Sequence, residues 1–311
     1  MDSLMDLSII IVSWNVADLL RACLDSILAA PTPLALEIIV VDSASSDTTV
    51  TMIQSEYPPV TLMAQTENLG FVKCNNIGLK ASRGRHVLLL NPDTEIIGDP
   101  LATMVAYLDA HPDVGIVGPH TLNTDRSTQS TKRRFPTMTT GIFESTWLQD
   151  YAPKALMDWY YTADIADQST GDVDWVQGSA LMARRSVYEQ IGGLDEGFFM
   201  FSEELDWCKR AKDAGWRVVY VGAAQIIHHG GKSTEQIASR KHIYFHQSKL
   251  RYFRKNYGWL VAQILRIFLL LNYVWQIFLE GAKGLLGQKP ALRRERIQAY
   301  WEVLRSGLKV S

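Results

Sequence analysis

Apolar positions in the first ninety residues fall in unbroken runs, not in alternation. The runs "SIIIV" (8–12), "LEIIVVD" (36–42), "VTLMAQ" (60–65) and "RHVLLLN" (85–91) each read as a strand covered on both faces. Between the first two, Leu19, Leu20, Cys23, Leu24, Ile27 and Leu28 recur at helical spacing. Strand and helix signals in turn predict an α/β chain, a mostly parallel sheet with helices on both sides. The rhythm lapses over 119–172, rich in Thr, Ser, Arg and Asp, which reads as a long surface excursion of the kind that often carries function. It returns with "VDWVQGSALMARR" (173–185) and with the stretch from Gly192 to Val221.

The tail is patterned differently. From Trp259 to Leu279 only Arg266 is charged, and the charge-free part from Ile267 to Leu279 is shorter than the ~20 residues of a spanning helix. Leu260, Ile264, Ile267, Phe268, Leu271, Trp275, Phe278 and Leu279 form a broad apolar surface, with Gln263, Arg266, Gln276, Glu280 and Lys283 as a narrow polar stripe. Beyond Gly287, Lys289, Arg293, Arg294, Arg296, Arg305 and Lys309 face only Glu295 and Glu302. An apolar-faced helix beside a cationic one suits an anionic membrane surface, lying on it without spanning it. Packing against the preceding domain, or against a second subunit in a homo-oligomer, is the alternative. The domain division expected is 1–257 and 258–311.

Composition narrows the classes. A chain of 311 residues, 47% hydrophobic and 21% charged, is globular, and a net charge of −2 gives no general attraction to nucleic acid. Cys23, Cys74 and Cys208 are odd in number and lack metal-ligand spacing, which fits a reducing cytoplasm. Asp2 and Asp6 stand where a secretory signal wants cations, so "LSIIIV" is expected to be the first strand.

Ligands of open α/β sheets bind beyond the carboxyl ends of the strands. The residues there are Ser13, Trp14 and Asn15, then Asp42 with "SASSD" (43–47), then Asn91, Pro92 and Asp93. Among them lies "ENLGFVKCNNIGL" (67–79), where Gly70 permits close backbone approach and Asn75 and Asn76 can face the same cleft. A hard cation bridging two phosphates takes one or two carboxylates plus phosphate oxygens, which makes Asp93 a candidate ligand. The plainer alternative is a turn fixed by Pro92 and capped by Asp93.

In order, "SIIIVSWN", "VVDSASSD", "ENLGFVKCNNIGL", "LLLNPDTEI", "GSALMARR", "GGLDEGFFMFSEELDWCKRAKDAGW" and "HHGGKS" resemble inverting glycosyltransferases of family 2, bacterial rhamnosyltransferase-type members above all. The resemblance covers residues 7 to 257 and implies a GT-A fold, a dTDP- or UDP-linked sugar donor and a divalent metal, Mg or Mn. It places Ser13 and Asn15 beside the nucleotide, Asp42 at the base, and Asn68, Gly70 and Asn75 along the donor. Asp93 takes the place of the last carboxylate of the family's Asp-x-Asp motif, while Asn91 stands in the first position and supplies no charge. The pattern His-x-x-Gly-x-Ser fits His228, Gly231 and Ser233, making His228, next to His229, the second ligand; a neutral imidazole favours Mn over Mg. Capping of local backbone is the alternative for the two histidines.

Family members read Glu-Asp-x-Asp where this chain has Glu203, Glu204 and Asp206. The resemblance implies Glu204 as the base that takes the acceptor's proton, with Asp206 second. An acidic first turn is also what a helix dipole favours, and Gly215 would end that helix. Trp175, Gln177, Gly178 and Ser179 correspond to a segment near sugar and acceptor, although Trp175 reads equally as core. Arg133 or Arg134, in "STKRRFPT" (130–137), would contact a phosphate of the donor or of a lipid-linked acceptor, or would belong to a solvated loop. The expected activity is transfer of rhamnose or another hexose to a saccharide or lipid-linked acceptor in cell-envelope polysaccharide synthesis, at the inner face of the cytoplasmic membrane. A nucleotidyltransferase would want a Gly-rich basic loop after the first strand, which "SWNVADLL" does not offer; a non-catalytic sugar- or lipid-binding scaffold is the other alternative.

Overall fold

A computed structural model describes residues 5–230, 238–286 and 289–309. The expected motif residues Gly231 and Ser233 lie outside them. The strands are β1 (Leu7–Ser13), β2 (Leu36–Asp42), β3 (Thr61–Ala64), β4 (His86–Leu90), β5 (Thr94–Ile96), β6 (Val114–Leu122), β7 (Lys132–Arg133), β8 (Gly171–Val173), β9 (Trp175–Val176), β10 (Ala180–Arg184) and β11 (Arg217–His228). Among the described residues one sheet runs β3-β2-β1-β4-β10-β6-β11-β5, with β8 also on β11. Strands β1 to β4 are mutually parallel, β10 runs against β4 and β6, and β11 is parallel to β6. The carboxyl ends of β1, β2, β4, β6 and β11 therefore share one edge with the start of β10.

The continuous apolar runs have the cause expected of them in β1, β4 and most of β2, but not in β3, an edge strand whose Thr61 and Ala64 are exposed. Every residue of β1 and β4 is buried, because α1 (Ala17–Ala29), α2 (Thr49–Glu56), α3 (Phe71–Ala81) and α4 (Pro100–Ala110) leave the sheet's centre no wet face. Leu20, Cys23, Leu24 and Ile27 of α1 are buried as the spacing predicts, whereas Leu28 is 50% exposed. Asp47 binds Ala17 N at 3.1 Å and Thr49 N at 3.0 Å, so one carboxylate satisfies free N–H groups at the starts of both α1 and α2.

The stretch 119–172 is not one loop. β6 continues to Leu122 with all nine residues buried, although Gly118, Pro119, His120 and Thr121 hide the strand signal. Gly118 is needed because a Cβ there would lie 2.6 Å from Val176 Cβ, and His120 Nε2 meets Thr128 Oγ1 at 3.0 Å. Further on come α5 (Met138–Phe143), α6 (Lys154–Tyr160) and the small β7–β9 ladder. Then α7 (Arg185–Ile191) follows β10, and α8 (Glu203–Asp213) ends as foreseen at Gly215, whose φ is +94°.

Contacts divide the chain into two units. The first holds the described parts of Met1–Phe135, Tyr161–Glu196 and Glu203–Ser233, including the sheet. The second holds Pro136–Tyr160, Gly197–Ser202 and the described parts of Thr234–Ser311, so the expected boundary at 257/258 falls inside it. Within this second unit three helices follow one another, Ala238–Tyr257, Trp259–Leu285 and Pro290–Ser306. Phe253 packs on Gly141, Lys249 Nζ binds the Glu144 carboxylate at 2.9 Å, and Tyr257 OH donates to Pro136 O at 2.7 Å.

Candidate active site

Every residue proposed for the site lies in the first unit, and the sheet topology brings most of them to its one edge. At the end of β4, Asp93 is 3% exposed and its Oδ1 lies 3.2 Å from His228 Nε2, at the end of β11. Asn91 Nδ2 lies 3.4 Å from the same nitrogen. The other ring nitrogen, Nδ1, contacts Gln129 Oε1 at 2.6 Å, and since an amide oxygen only accepts, Nδ1 carries the hydrogen. In the neutral ring, Nε2 then faces a carboxylate oxygen as a second acceptor, an arrangement completed by something positive between them. Carboxylate and imidazole together can supply two ligands to a divalent cation. Among the described residues no group of three or more His, Cys, Asp or Glu gathers that could hold a metal ion, so a cation here would need further ligands from outside the protein. The neighbouring His229 is used differently, its Nε2 meeting Glu95 Oε1 at 2.5 Å.

The acids of α8 stand one strand away. Asn91 N donates to Ser179 O at 3.0 Å, and Ala180 pairs with Leu90, which brings the turn at Gly178 and Ser179 to the end of β4. A Cβ on Gly178 would meet Glu204 Cγ at 3.6 Å, an ordinary contact distance, which places the Glu204 arm against this turn. Glu204 is half-buried in the first turn of α8. Glu203 is buried, and burial first, then the charge of Glu204, holds its carboxyl well above the usual range. Asp206 is 1% exposed and takes Arg210 Nε at 2.9 Å, while the same guanidinium binds Ile191 O and Gly193 O, each at 2.6 Å. That geometry belongs to a residue that holds the 191–193 turn.

The nucleotide-side residues are tied to one another. Ser13 ends β1 opposite Asp42 of β2, and the Oγ atoms of Ser13 and Ser179 are buried without a hydrogen-bond partner among the described residues. Asp42 is 1% exposed, and its oxygens accept from Ser45 N at 2.9 Å and Ser45 Oγ at 2.5 Å. Asn15, at φ +52°, accepts at Oδ1 from Ser46 N at 2.7 Å and donates its backbone N–H to Ser45 Oγ. Asn68 Oδ1 takes Ser43 Oγ and Gly70 N, which sets the turn at φ +80° before α3. Asn75 is buried and donates to Phe71 O of its own helix, and Asn76 binds Leu194 N and O across 118 residues of sequence.

Three expected contacts have local partners instead of an open face. Trp175 is 9% exposed and its indole N–H donates to Arg134 O at 3.0 Å, as a core residue does. Arg133 lies over the Tyr161 ring at 4.3 Å and Arg134 reaches Asp164 at 3.1 Å. Cys23 and Cys208 are inert, burial pushing each thiol up to about 12. Sequence reasoning missed Gln129, in a short polar stretch where one hydrophilic letter looks like the next.

A protein-family model described as "Glycosyl transferase family 2" matches residues 8–192. The chain belongs to that family. It is a glycosyltransferase, 28% identical over 218 residues to the N-acetylglucosaminyl-diphospho-decaprenol L-rhamnosyltransferase of Mycobacterium tuberculosis, covering 67% of this chain and 71% of the relative. To the rhamnosyltransferase WbbL of Escherichia coli strain K12 it is 26% identical over 203 residues, 59% of this chain and 69% of that one. Among solved structures, the mannosyltransferase PcManGT from Pyrobaculum calidifontis with GDP-Man and Mn2+ superposes at TM-score 0.57, with 19% identity, over 98% of this chain and 87% of the other. GalNAc-T7 with UDP, GalNAc and Mn2+ gives 0.56 at 16% identity over 73% of this chain, which spans only 44% of that protein. The fold is thus GT-A, as the family's motifs implied.

Proposed function

We propose that this family 2 glycosyltransferase moves a deoxyhexose such as rhamnose, with inversion, from a nucleoside diphosphate to a hydroxyl of a lipid-linked saccharide in cell-envelope synthesis. The observation that carries this is the convergence of the Asp93–His228 pair and Glu204 on one sheet edge, across β4 and β10. Names of the relatives support the sugar and the lipid-linked acceptor. A divalent cation held by Asp93 and His228 would stabilise the negative charge of the departing diphosphate. Glu204 takes the proton of the acceptor hydroxyl, whose oxygen bonds to the anomeric carbon while the bond to the diphosphate breaks and its electron pair leaves with the diphosphate. Ser13 and Ser179 offer hydroxyls still in need of partners at the edge where the donor would lie. Asp42 recognises the base with Ser45 fixing its direction, and Asn15, Asn68 and Gly70 shape the nucleotide side.

The second unit fits work at the inner face of the cytoplasmic membrane. Its long helix turns Arg266 inward to Gly307 O at 2.6 Å and Glu280 to Arg293 at 2.6 Å, and leaves Leu260, Ile264, Ile267, Leu271 and Phe278 each at least 50% exposed. The helix thus carries apolar side chains on its exposed face as well as on its buried one, where Leu265 and Leu269 lie, unlike a helix built for water.

The test is a panel of dTDP-, UDP- and GDP-sugars measured for thermal stabilisation and transfer, with Mg, with Mn and with chelator. One donor is expected to stabilise the protein only with metal. Glu204→Gln should keep that stabilisation while transfer falls by about 10²–10⁴-fold. No stabilisation by any sugar nucleotide under any metal condition, or full transfer by the variant, would overturn the proposal.

A further inference from the structure

We infer that Gln129 is a positioning residue that fixes the tautomer and aim of His228; this rests on the assignment of Asp93 and His228 as cation ligands. The evidence is a directed chain of hydrogen bonds. Ser127 Oγ donates to Asp125 Oδ1 at 2.5 Å, which leaves its oxygen to accept from Asn123 Nδ2 at 2.9 Å. That sets the Asn123 amide, whose Oδ1 accepts from Gln129 Nε2 at 3.0 Å. With its donor so used, Gln129 presents only Oε1 to His228 Nδ1, 2.6 Å away. Reversing the Gln129 amide would set oxygen against oxygen at Asn123, whose own amide is fixed by Ser127. The direction therefore runs from a surface carboxylate to one ring nitrogen.

The backbone beneath this chain is a tight hairpin at the end of β6. Asn123 N donates to Ser127 O at 2.8 Å, Arg126 N to Asn123 O at 2.9 Å and Gln129 N to Thr121 O at 2.9 Å. It holds Gln129 where the end of β11 passes. The Nδ1–H tautomer leaves the lone pair on Nε2, the nitrogen that faces Asp93 Oδ1 at 3.2 Å and Asn91 Nδ2 at 3.4 Å. Without Gln129 the ring is free to carry its hydrogen on Nε2, which would donate to Asp93 and close the pair to a cation. Outer partners of ligating histidines typically change metal affinity by about 10–100-fold.

Two readouts on the full chain test this. In metal-free ¹⁵N-labelled protein, with His228→Asn identifying the signals, a long-range ¹H–¹⁵N spectrum should show His228 with hydrogen on Nδ1. Gln129→Leu should move it to Nε2, and Gln129→Glu, whose carboxylate still accepts, should restore Nδ1–H. Free Mn2+ measured by electron paramagnetic resonance, with UDP and separately with dTDP, should show binding weakened about 10–100-fold in Gln129→Leu and near wild type in Gln129→Glu. An unchanged Nδ1–H ring in Gln129→Leu overturns the inference. So does unchanged Mn2+ affinity in Gln129→Leu when His228→Asn weakens it. If His228→Asn itself leaves Mn2+ affinity intact, the ligand assignment fails and the inference with it; the spectrum still separates the two failures, because it reports on the ring alone.

Discussion

Glu203 shows at the level of one residue how burial prepares a neighbour. Its carboxyl is held above the ordinary 4.5, by burial and then by Glu204, so the proton it keeps spares Glu204 an adjacent charge. The sign of the stability effect follows. Above pH 4.5 the unfolded chain has released a proton that the folded chain retains, so stability falls as pH rises, until the folded group ionises too and the loss levels off. Glu203→Gln removes this loss. Its melting temperature should match wild type near pH 4 and exceed it increasingly towards pH 8, by about 2–4 °C for each kcal/mol in a chain of this size. A difference that stays flat across that range would show that Glu203 is not held protonated. At this scale the sequence exposes which letters can do chemistry, Asp93, His228 and Glu204 among them, but not their partners. Asp206 reads as a possible base until Arg210 is seen on it, and Trp175 as a sugar platform until its indole is found against Arg134 O.

At the scale of elements, strands β1, β2 and β4 were legible because burial on both faces demands unbroken apolar runs, and the parallel order that gathers their ends follows from the alternating helices. β6 was not, because a central strand whose neighbours need space selects Gly118, and whose polar side chains find partners can hold His120. Close approach of a helix to the sheet is likewise silent in periodicity. A Cβ on Gly78 of α3 would lie 2.4 Å from Ile10 Cγ2 in β1, and a β-branched methyl has little room to turn away. Gly78→Ala should therefore destabilise by about 1–3 kcal/mol in urea titration, overpacking outweighing the ~1 kcal/mol by which alanine favours a helix. Gly281→Ala, in the helix Trp259–Leu285 with nothing within 4 Å of the new Cβ, should instead stabilise by up to about 1 kcal/mol. Equal signs for the two variants would mean that the α3 contact does not limit packing.

For the whole molecule the open question is what covers the apolar face of the second unit. The helix Trp259–Leu285 has 27 residues and is long and apolar enough to cross a membrane by length and composition, longer than the charge-free run alone indicated. Crossing would carry Arg266, Glu280 and Lys283 into hydrocarbon together with the helix bound to them, which holds Arg293, Arg294, Arg296 and Arg305. Lying at the surface avoids that cost, with Trp259 at 63% exposure and Trp275 at 42% suited to the headgroup level. The helix Ala238–Tyr257 adds Arg240, Lys241, Lys249, Arg251, Arg254 and Lys255 and no acid, with Lys249 on Glu144 and Arg251 over the Phe198 ring. Each cation near an anionic surface contributes about 1 kcal/mol, which salt removes. The protein should sediment with vesicles containing phosphatidylglycerol, less with pure phosphatidylcholine, and less again at high salt. The double variant Ile267→Asp, Phe278→Asp replaces two side chains whose burial contributes about 1.5–3 kcal/mol each, so vesicle binding should fall at least about tenfold with transfer to a soluble acceptor kept. A stable dimer that the double variant dissociates, with no vesicle binding by either form, would assign the face to a second copy of the chain.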